Sequence, residues 1–269
     1  MLRYRVLTAI IAVPLLILYI SKGTPLMFAI LIGVVSLISM NEYLRIVFNQ
    51  AGHTDPFMPL LCYLASVGII IGSYRLSFDG VIGVLTFHLI IGATRAVLNY
   101  RAGSNVLALL ARYVCGVIYA PVLLSSLVLL RNGEKGGLWI FFLLLVVAAG
   151  DTGAYFAGTY FGKRKLAPNV SPGKTVEGLI GALLCIQILG GVYRIYLLPE
   201  LSFMTGTMLL FVLGGAGVLG DLFESALKRE GSIKDSGKIL PGHGGMLDRI
   251  DGLLFAGPVL YFFKPFLLG

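Results

Sequence analysis

Long apolar runs broken by short polar stretches dominate the chain. A membrane span needs about 20 mainly apolar residues. Nine runs reach that length: residues 4–22, 25–47, 57–74, 78–98, 106–130, 137–161, 175–198, 204–228 and 251–268. The alternation of apolar and polar is too coarse for the dyad period of a β-barrel. The intervening stretches are too short for a soluble domain, and no internal repeat stands out. The pattern therefore predicts an all-α fold, a polytopic integral membrane helical bundle with nine transmembrane helices.

Composition agrees with this reading. The chain is 57% hydrophobic and 13% charged, whereas a soluble domain carries about 25% charge. Cys62, Cys115 and Cys185 sit singly in apolar runs and read as packing residues. The N-terminal stretch resembles a signal peptide but has no A-x-A-like site after its apolar part, so it is expected to stay as the first helix.

Basic residues set the orientation. With the N-terminus in the cytoplasm, Arg3, Arg5, Arg45, Arg95, Arg101, Arg112, Lys163, Arg164, Lys165, Lys174, Lys228, Arg229, Lys234, Lys238 and Arg249 fall on the cytoplasmic side. Lys22, Arg75, Arg131, Lys135, Arg194 and Lys264 fall on the other. This is the positive-inside bias. It also accounts for the net charge of +8 without a nucleic-acid partner.

The first five runs are plain. Asn41-Glu42 interrupts the second near its cytoplasmic end, with Arg45 three residues on; a snorkelling interfacial pair is the favoured reading, and a role at a site mouth is the alternative. His53 and His88 stand alone and suggest no metal pair. Residues 1–136 are thus expected to form a scaffold for lipid and dimer contacts. Residues 137–269, with cytoplasmic loops 162–174 and 229–250, are expected to carry the chemistry.

Asp151 lies in an apolar run with no basic residue within about a helical turn. An unpaired carboxylate there costs at least ~3 kcal/mol, so it calls for a partner from another helix, a cation or water. Ala149, Gly153 and Ala157 form a small-residue stripe beside it, suited to close helix contact. In the next loop, Ser171-Pro172-Gly173-Lys174-Thr175 reads as a turn entering a helix, with Glu177 and Gly178 in its first turn. A Lys and free amides at a helix N-terminus suit a phosphate; an ordinary capped helix start fits the same residues. The G-x-G-x-x-G match at Gly215–Gly220 sits inside an apolar run, where close helix packing explains it better than a dinucleotide loop. Beyond it Asp221, Ser225 and Lys228 share a helix face, with Glu224 beside them.

Residues 225–251, SALKREGSIKDSGKILPGHGGMLDRID, form a polar island between two apolar runs. Asp248 and Asp251 are placed at i, i+3 at the start of the next helix. One Asp there is an ordinary cap; two, together with Asp221 and Asp151, look like a divalent-metal site. The surrounding Lys228, Arg229, Lys234, Lys238 and Arg249 suit a polyphosphate. His243 is either a phosphate contact or part of a glycine hinge.

This island contains S-x-L-K-R-x4-K-D-x-G-x2-L-P-x-H-G-G-x-L-D-R-x-D and resembles the phosphatidate cytidylyltransferase (CDP-diacylglycerol synthase) family throughout. The stretches G-D-T-G-A-Y-F-x-G-x-x-F-G-K from Gly150 and S-P-x-K-T-x-E-G from Ser171 are similar to the same family. Gly173 departs from it, standing where many members carry Lys. The resemblance implies a membrane enzyme that makes CDP-diacylglycerol and pyrophosphate from CTP and phosphatidate. It implies Mg²⁺ or another divalent cation, with a second cation allowed, and a homodimer. A bacterial inner membrane, with the site facing the cytoplasm, is the expected location.

On the expected mechanism, Asp221, Asp248 and Asp251 hold the metal, and Asp151 completes or faces the site. Lys228, Arg229 and Arg249 act on the reacting phosphates. Ser171, Lys174, Lys234, Lys238 and His243 hold nucleotide or lipid phosphate. A CTP-dependent polyprenol kinase would share these demands. An ion-coupled transporter would also place carboxylates in the membrane, but with paired broken helices. The D-G-x2-A-R pattern of CDP-alcohol phosphotransferases is absent, because Leu253 to Ala256 follow Asp251-Gly252.

Overall fold

A computed structural model describes residues 14–49, 55–75, 77–101, 105–237, 239 and 244–268. The expected spans appear as helices with almost the expected limits. Residues 14–22 are helical (α1), and α2 follows at Pro25–Val47. Next come α3 (Phe57–Arg75), α4 (Ser77–Leu98), α5 (Val106–Val117) and α6 (Leu123–Asn132). A single π turn, Ile118–Val122, joins α5 to α6 and contains Pro121. Proline has no N–H to give the i−4 carbonyl, and the wider turn absorbs this defect without ending the run. The remaining helices are α7 (Gly136–Phe161), α8 (Val176–Leu197), α9 (Phe203–Glu230) and α10 (Leu247–Leu268).

Seven of these segments are long and apolar enough to cross a membrane: α2, α3, α4, the α5–α6 run, α7, α8 and α9. Many outward side chains on them are large and apolar, such as Ile71, Phe87, Leu107 and Ile188. The fold is an all-α membrane bundle. The first half of the first expected span lies outside the described residues.

The chain divides into two compact units. The first comprises Met1–Asn132 with Glu230–Leu247; the second comprises Gly133–Arg229 with Asp248–Gly269.

In the first unit, α2 packs on α3, on the π turn and on α6. Thr24 caps α2 by accepting from Met27 N, and Pro25 supplies the favoured first-turn residue. Near its other end, Tyr43 lies against Gly116 and donates to the Arg112 carbonyl at 3.0 Å. Phe48 stacks on Tyr113. At the opposite end, Arg131 donates to the carbonyls of Ile20 and Gly23, closing the gap between α1 and α2. Asp55 caps the start of α3 and pairs with Arg95 at 3.0 Å. The Arg95 hydrogen bond holds the Asp55 carboxyl below its ordinary range.

The expected Glu42–Arg45 pair gives way to something else. Arg45 is exposed, whereas Glu42 is only 1% exposed and accepts three hydrogen bonds from residues 236–247.

In the second unit, α7 and α8 run antiparallel in contact along their length. Gly153 faces the Gly181 carbonyl, and a side chain at Gly181 would strike Ala157. The small-residue stripe thus does what its composition suggests. Between these helices the loop is ordered as a two-stranded hairpin, β1 (Lys165–Ala167) and β2 (Ser171–Thr175), with Lys165 opposite Thr175. A turn was expected at Ser171–Thr175; it is a strand that runs directly into α8. Glu177 fixes the approach by accepting from the amides of Lys163 (3.0 Å) and Arg164 (3.1 Å).

Candidate active site

The site is built on the last turns of α9 and the first turns of α10. Helical spacing puts Asp221, Glu224 and Lys228 in one stripe of α9. In α10 the same periodicity puts Asp248 and Asp251 on adjacent positions of one face. The two helices approach closely because α9 offers bare backbone. A side chain at Gly220 would meet the Asp251 carbonyl and Phe255 Cβ. Of the glycines in the G-x-G-x-x-G match, Gly220 therefore serves helix packing, whereas a side chain at Gly215 would meet nothing within 4 Å.

This close approach gathers carboxylates. Oxygen atoms of Asp221, Glu224 and Asp251 all lie within 4.8 Å of one another. Glu224 is 1% exposed, and its Oε1 is buried with no hydrogen-bond partner among the described residues. Its Oε2 meets Lys228 Nζ at 2.7 Å. Lys228 Nζ in turn reaches Asp248 Oδ1 at 2.6 Å. Asp251 Oδ1 accepts from Gly252 N at 2.7 Å. Three carboxylates in this small space repel one another, and an orphaned buried oxygen is costly to leave unsatisfied. Hard oxygen donors of this kind fit a divalent cation such as Mg²⁺.

A cavity of about 240 Å³ adjoins the cluster. Asp151, Lys174 and Asp221 give its charged part, and Lys174 Nζ lies 2.5 Å from Asp221 Oδ2. Its floor is apolar or bare backbone, with Val146, Ile186, Leu213, Gly214 and Gly217. Lys174 reaches this position because β2 ends directly at α8. Thr175 caps α8 by accepting from Gly178 N at 3.1 Å, and Val176 N donates to the Arg164 carbonyl. These first-turn amides are thus already used, and what the hairpin presents to the cavity is the Lys174 ammonium.

The structure brings Asp221 and Asp251 together and sets Asp151 on the wall of the adjoining cavity. It holds Asp248 against Lys228 outside the three-carboxylate cluster. Ser171 opens β2 and is not among the cavity-lining residues. Arg229 Nε donates to the Val170 carbonyl in the hairpin turn. Arg249 and Lys234 are exposed. Lys238 and His243 lie outside the described residues. Glu224, rather than Asp248, is the third member of the cluster. Its place three residues after Asp221 and four before Lys228 was the available signal.

Comparison with known proteins completes the picture. A model of the Cytidylyltransferase family matches residues 3–267. The phosphatidate cytidylyltransferase of Staphylococcus saprophyticus is 33% identical over 259 residues, covering 96% of this chain and 97% of that one. Its counterpart in Thermotoga maritima is 34% identical over 266 residues, 97% of this chain and 95% of that one. A Bacillus subtilis phosphatidate cytidylyltransferase is 43% identical over a shorter stretch of 146 residues, 54% of each chain. With a family match spanning nearly every residue, and with relatives aligned along almost their whole length, the chain belongs to the cytidylyltransferase family.

Proposed function

We propose that the protein transfers the cytidylyl group of CTP to phosphatidate, giving CDP-diacylglycerol and pyrophosphate in phospholipid synthesis. The observation that carries this reading is the Asp221–Glu224–Asp251 cluster beside a cavity holding Lys174 and Asp151, in a chain of this family. Both substrates are polyanions, so the site needs cationic help to bring them together. A divalent cation held by Asp221, Glu224 and Asp251, with Asp151 facing it, would supply Lewis-acid stabilisation of the transferring phosphate.

The chain's own residues do the rest. Lys174 lines the cavity and is positioned to hold a phosphate as well as to balance Asp221. Lys228 neutralises Glu224 and Asp248 and so keeps the start of α10 close to α9. Arg229, Arg249 and Lys234, with Lys238 and His243, supply further charge for nucleotide and lipid phosphates, and Ser171 a hydroxyl. The apolar floor suits the glycerol and acyl part of phosphatidate, entering from the leaflet. A phosphatidate oxygen attacks the α-phosphorus of CTP, the bond to the bridging α–β oxygen breaks, and pyrophosphate departs. No protein nucleophile is required, because the lipid phosphate is already anionic at neutral pH.

The same reading places nine spans in a bacterial inner membrane. It puts the N-terminus and the site in the cytoplasm, from the distribution of Lys and Arg. It also assigns residues 1–136 to scaffold and dimer contacts, residues 137–269 to catalysis, and the working form to a homodimer. The test is the product pair. Purified protein given CTP, phosphatidate and Mg²⁺ is expected to yield CDP-diacylglycerol and pyrophosphate in equal amounts. Release of CDP with a phosphorylated lipid would point to a lipid kinase instead.

A further inference from the structure

Glu42 is a carboxylate buried in the N-terminal half of the chain, far in sequence from every residue of the site. It is 1% exposed. Its Oε1 accepts from Met246 N at 2.9 Å, and its Oε2 accepts from Leu247 N at 2.9 Å and Ser236 Oγ at 3.1 Å. These partners lie 194 to 205 residues away. Among the described residues no Lys or Arg forms an ion pair with it, and its three hydrogen bonds come from two backbone amides and a hydroxyl.

The placement has a clear physical effect. Leu247 opens α10, and Met246 precedes it. Their N–H groups are among the donors a helix leaves unsatisfied at its start, where an anion is favoured. A local Ser or Asp normally supplies that acceptor; here a distant helix does. The fit is close. A side chain on Gly245 would meet Ser236 Oγ and Glu42 Oε1, and one on Gly237 would meet the Glu42 carboxylate. A second tie, Asn49 Nδ2 to the Gly231 carbonyl at 3.0 Å, fastens the beginning of the same segment to the end of α2. The backbone between α9 and α10 is therefore anchored near both of its ends by two side chains, one in the last two turns of α2 and one just beyond its end.

We infer that Glu42 is a positioning residue for the transfer reaction: it fixes the backbone at Ser236 and at Met246–Leu247, the point from which α10, the helix carrying Asp248 and Asp251, starts. This rests on the proposed role of the α10 carboxylates. Glu42 touches no substrate in this scheme and acts only through the backbone it holds. Glutamine in its place keeps the size but presents an amide N–H to backbone donors, so one or more of the three bonds must break.

The test uses the full-length protein in detergent, comparing wild type with Glu42→Gln and the milder Ser236→Ala. Amide hydrogen exchange over residues 244–250 is measured alongside the kcat and half-saturating Mg²⁺ of cytidylyl transfer. Glu42→Gln is expected to speed exchange at Met246 and Leu247 and to raise the Mg²⁺ requirement. It should also lower kcat by roughly 10- to 100-fold, as displaced catalytic groups do, while KM for phosphatidate changes little. Ser236→Ala should move the same quantities in the same direction by less. Unchanged exchange in both variants would overturn the idea, as would faster exchange with wild-type kcat and Mg²⁺ dependence. Loss of activity that tracks only a fall in melting temperature would reduce Glu42 to a structural role and overturn it too. Asp251→Asn serves as the control: if that variant keeps full activity, the metal reading fails by itself, and Glu42 is still judged by its own exchange and turnover.

Discussion

The Lys174 ammonium lies 2.5 Å from Asp221 Oδ2, so a cation on the hairpin already balances one of the three clustered carboxylates. Lys174 and a divalent cation would compete for that oxygen. Replacing Lys174 with Met is therefore expected to lower the half-saturating Mg²⁺. The same change removes a charged donor from the cavity wall and should raise KM for CTP or phosphatidate by about tenfold, the scale of a charge-assisted hydrogen bond. Steady-state kinetics over a Mg²⁺ titration would reveal the opposed shifts. A parallel weakening for both metal and substrate would refute the competition.

Lys228 bridges Glu224 and Asp248, and all three side chains are nearly buried. Removing the shared cation leaves two carboxylates in poor solvent, a change that typically costs about 3–5 kcal/mol. Lys228→Met should accordingly lower the melting temperature in detergent. Adding Glu224→Gln removes one of the stranded charges, so the double variant is expected to melt higher than Lys228→Met alone. Additive losses would show that the pair does not interact.

The α7–α8 contact depends on glycine. A Cβ at Gly181 would overlap Ala157 Cβ and crowd the Gly153 carbonyl. Overpacking of this kind costs about 1–3 kcal/mol. Gly181→Val should reduce thermal stability and, by parting the helices that carry Asp151 and lead from Lys174, also reduce turnover. By contrast, Gly191→Ala on the same helix meets nothing within 4 Å and should be tolerated. Equal effects at the two positions would count against the packing argument.

The cluster ranks the acidic residues of the site. Asp221, Glu224 and Asp251 share one small volume, while Asp248 is held by Lys228. Asp221→Asn, Glu224→Gln and Asp251→Asn are each expected to weaken Mg²⁺ activation more than Asp248→Asn does. Asp248→Asn should act mainly through Lys228, with a smaller change in Mg²⁺ dependence and a larger one in stability. The reverse order would assign the metal to Asp248.

The helices were legible because each is an apolar run of membrane length closed by charged or glycine-rich residues, and the limits of α2, α7 and α10 fall within a few residues of those expected. The polar island and its neighbours were legible because their chemistry is concentrated in one linear stretch. Other features depend on contacts that no local pattern encodes. Glu42 sits three residues before Arg45 and looks like half of a surface pair, yet its partners are the amides of Met246 and Leu247. Glu224 looked peripheral because only the approach of α10 to Gly220 turns it into a member of the cluster. The hairpin was hidden by its Pro172-Gly173 step, which reads as a turn; its three-residue first strand is too short to show alternation.

The most direct measurement follows label from CTP into lipid. Purified wild-type protein and Asp251→Asn, each shown to be folded, would receive phosphatidate in mixed micelles with CTP labelled at either the α- or the γ-phosphorus, with and without Mg²⁺. The account predicts that only α-label enters the lipid product, only when Mg²⁺ is present, and that Asp251→Asn abolishes the transfer. Entry of γ-label into lipid, or wild-type transfer by Asp251→Asn, would contradict it.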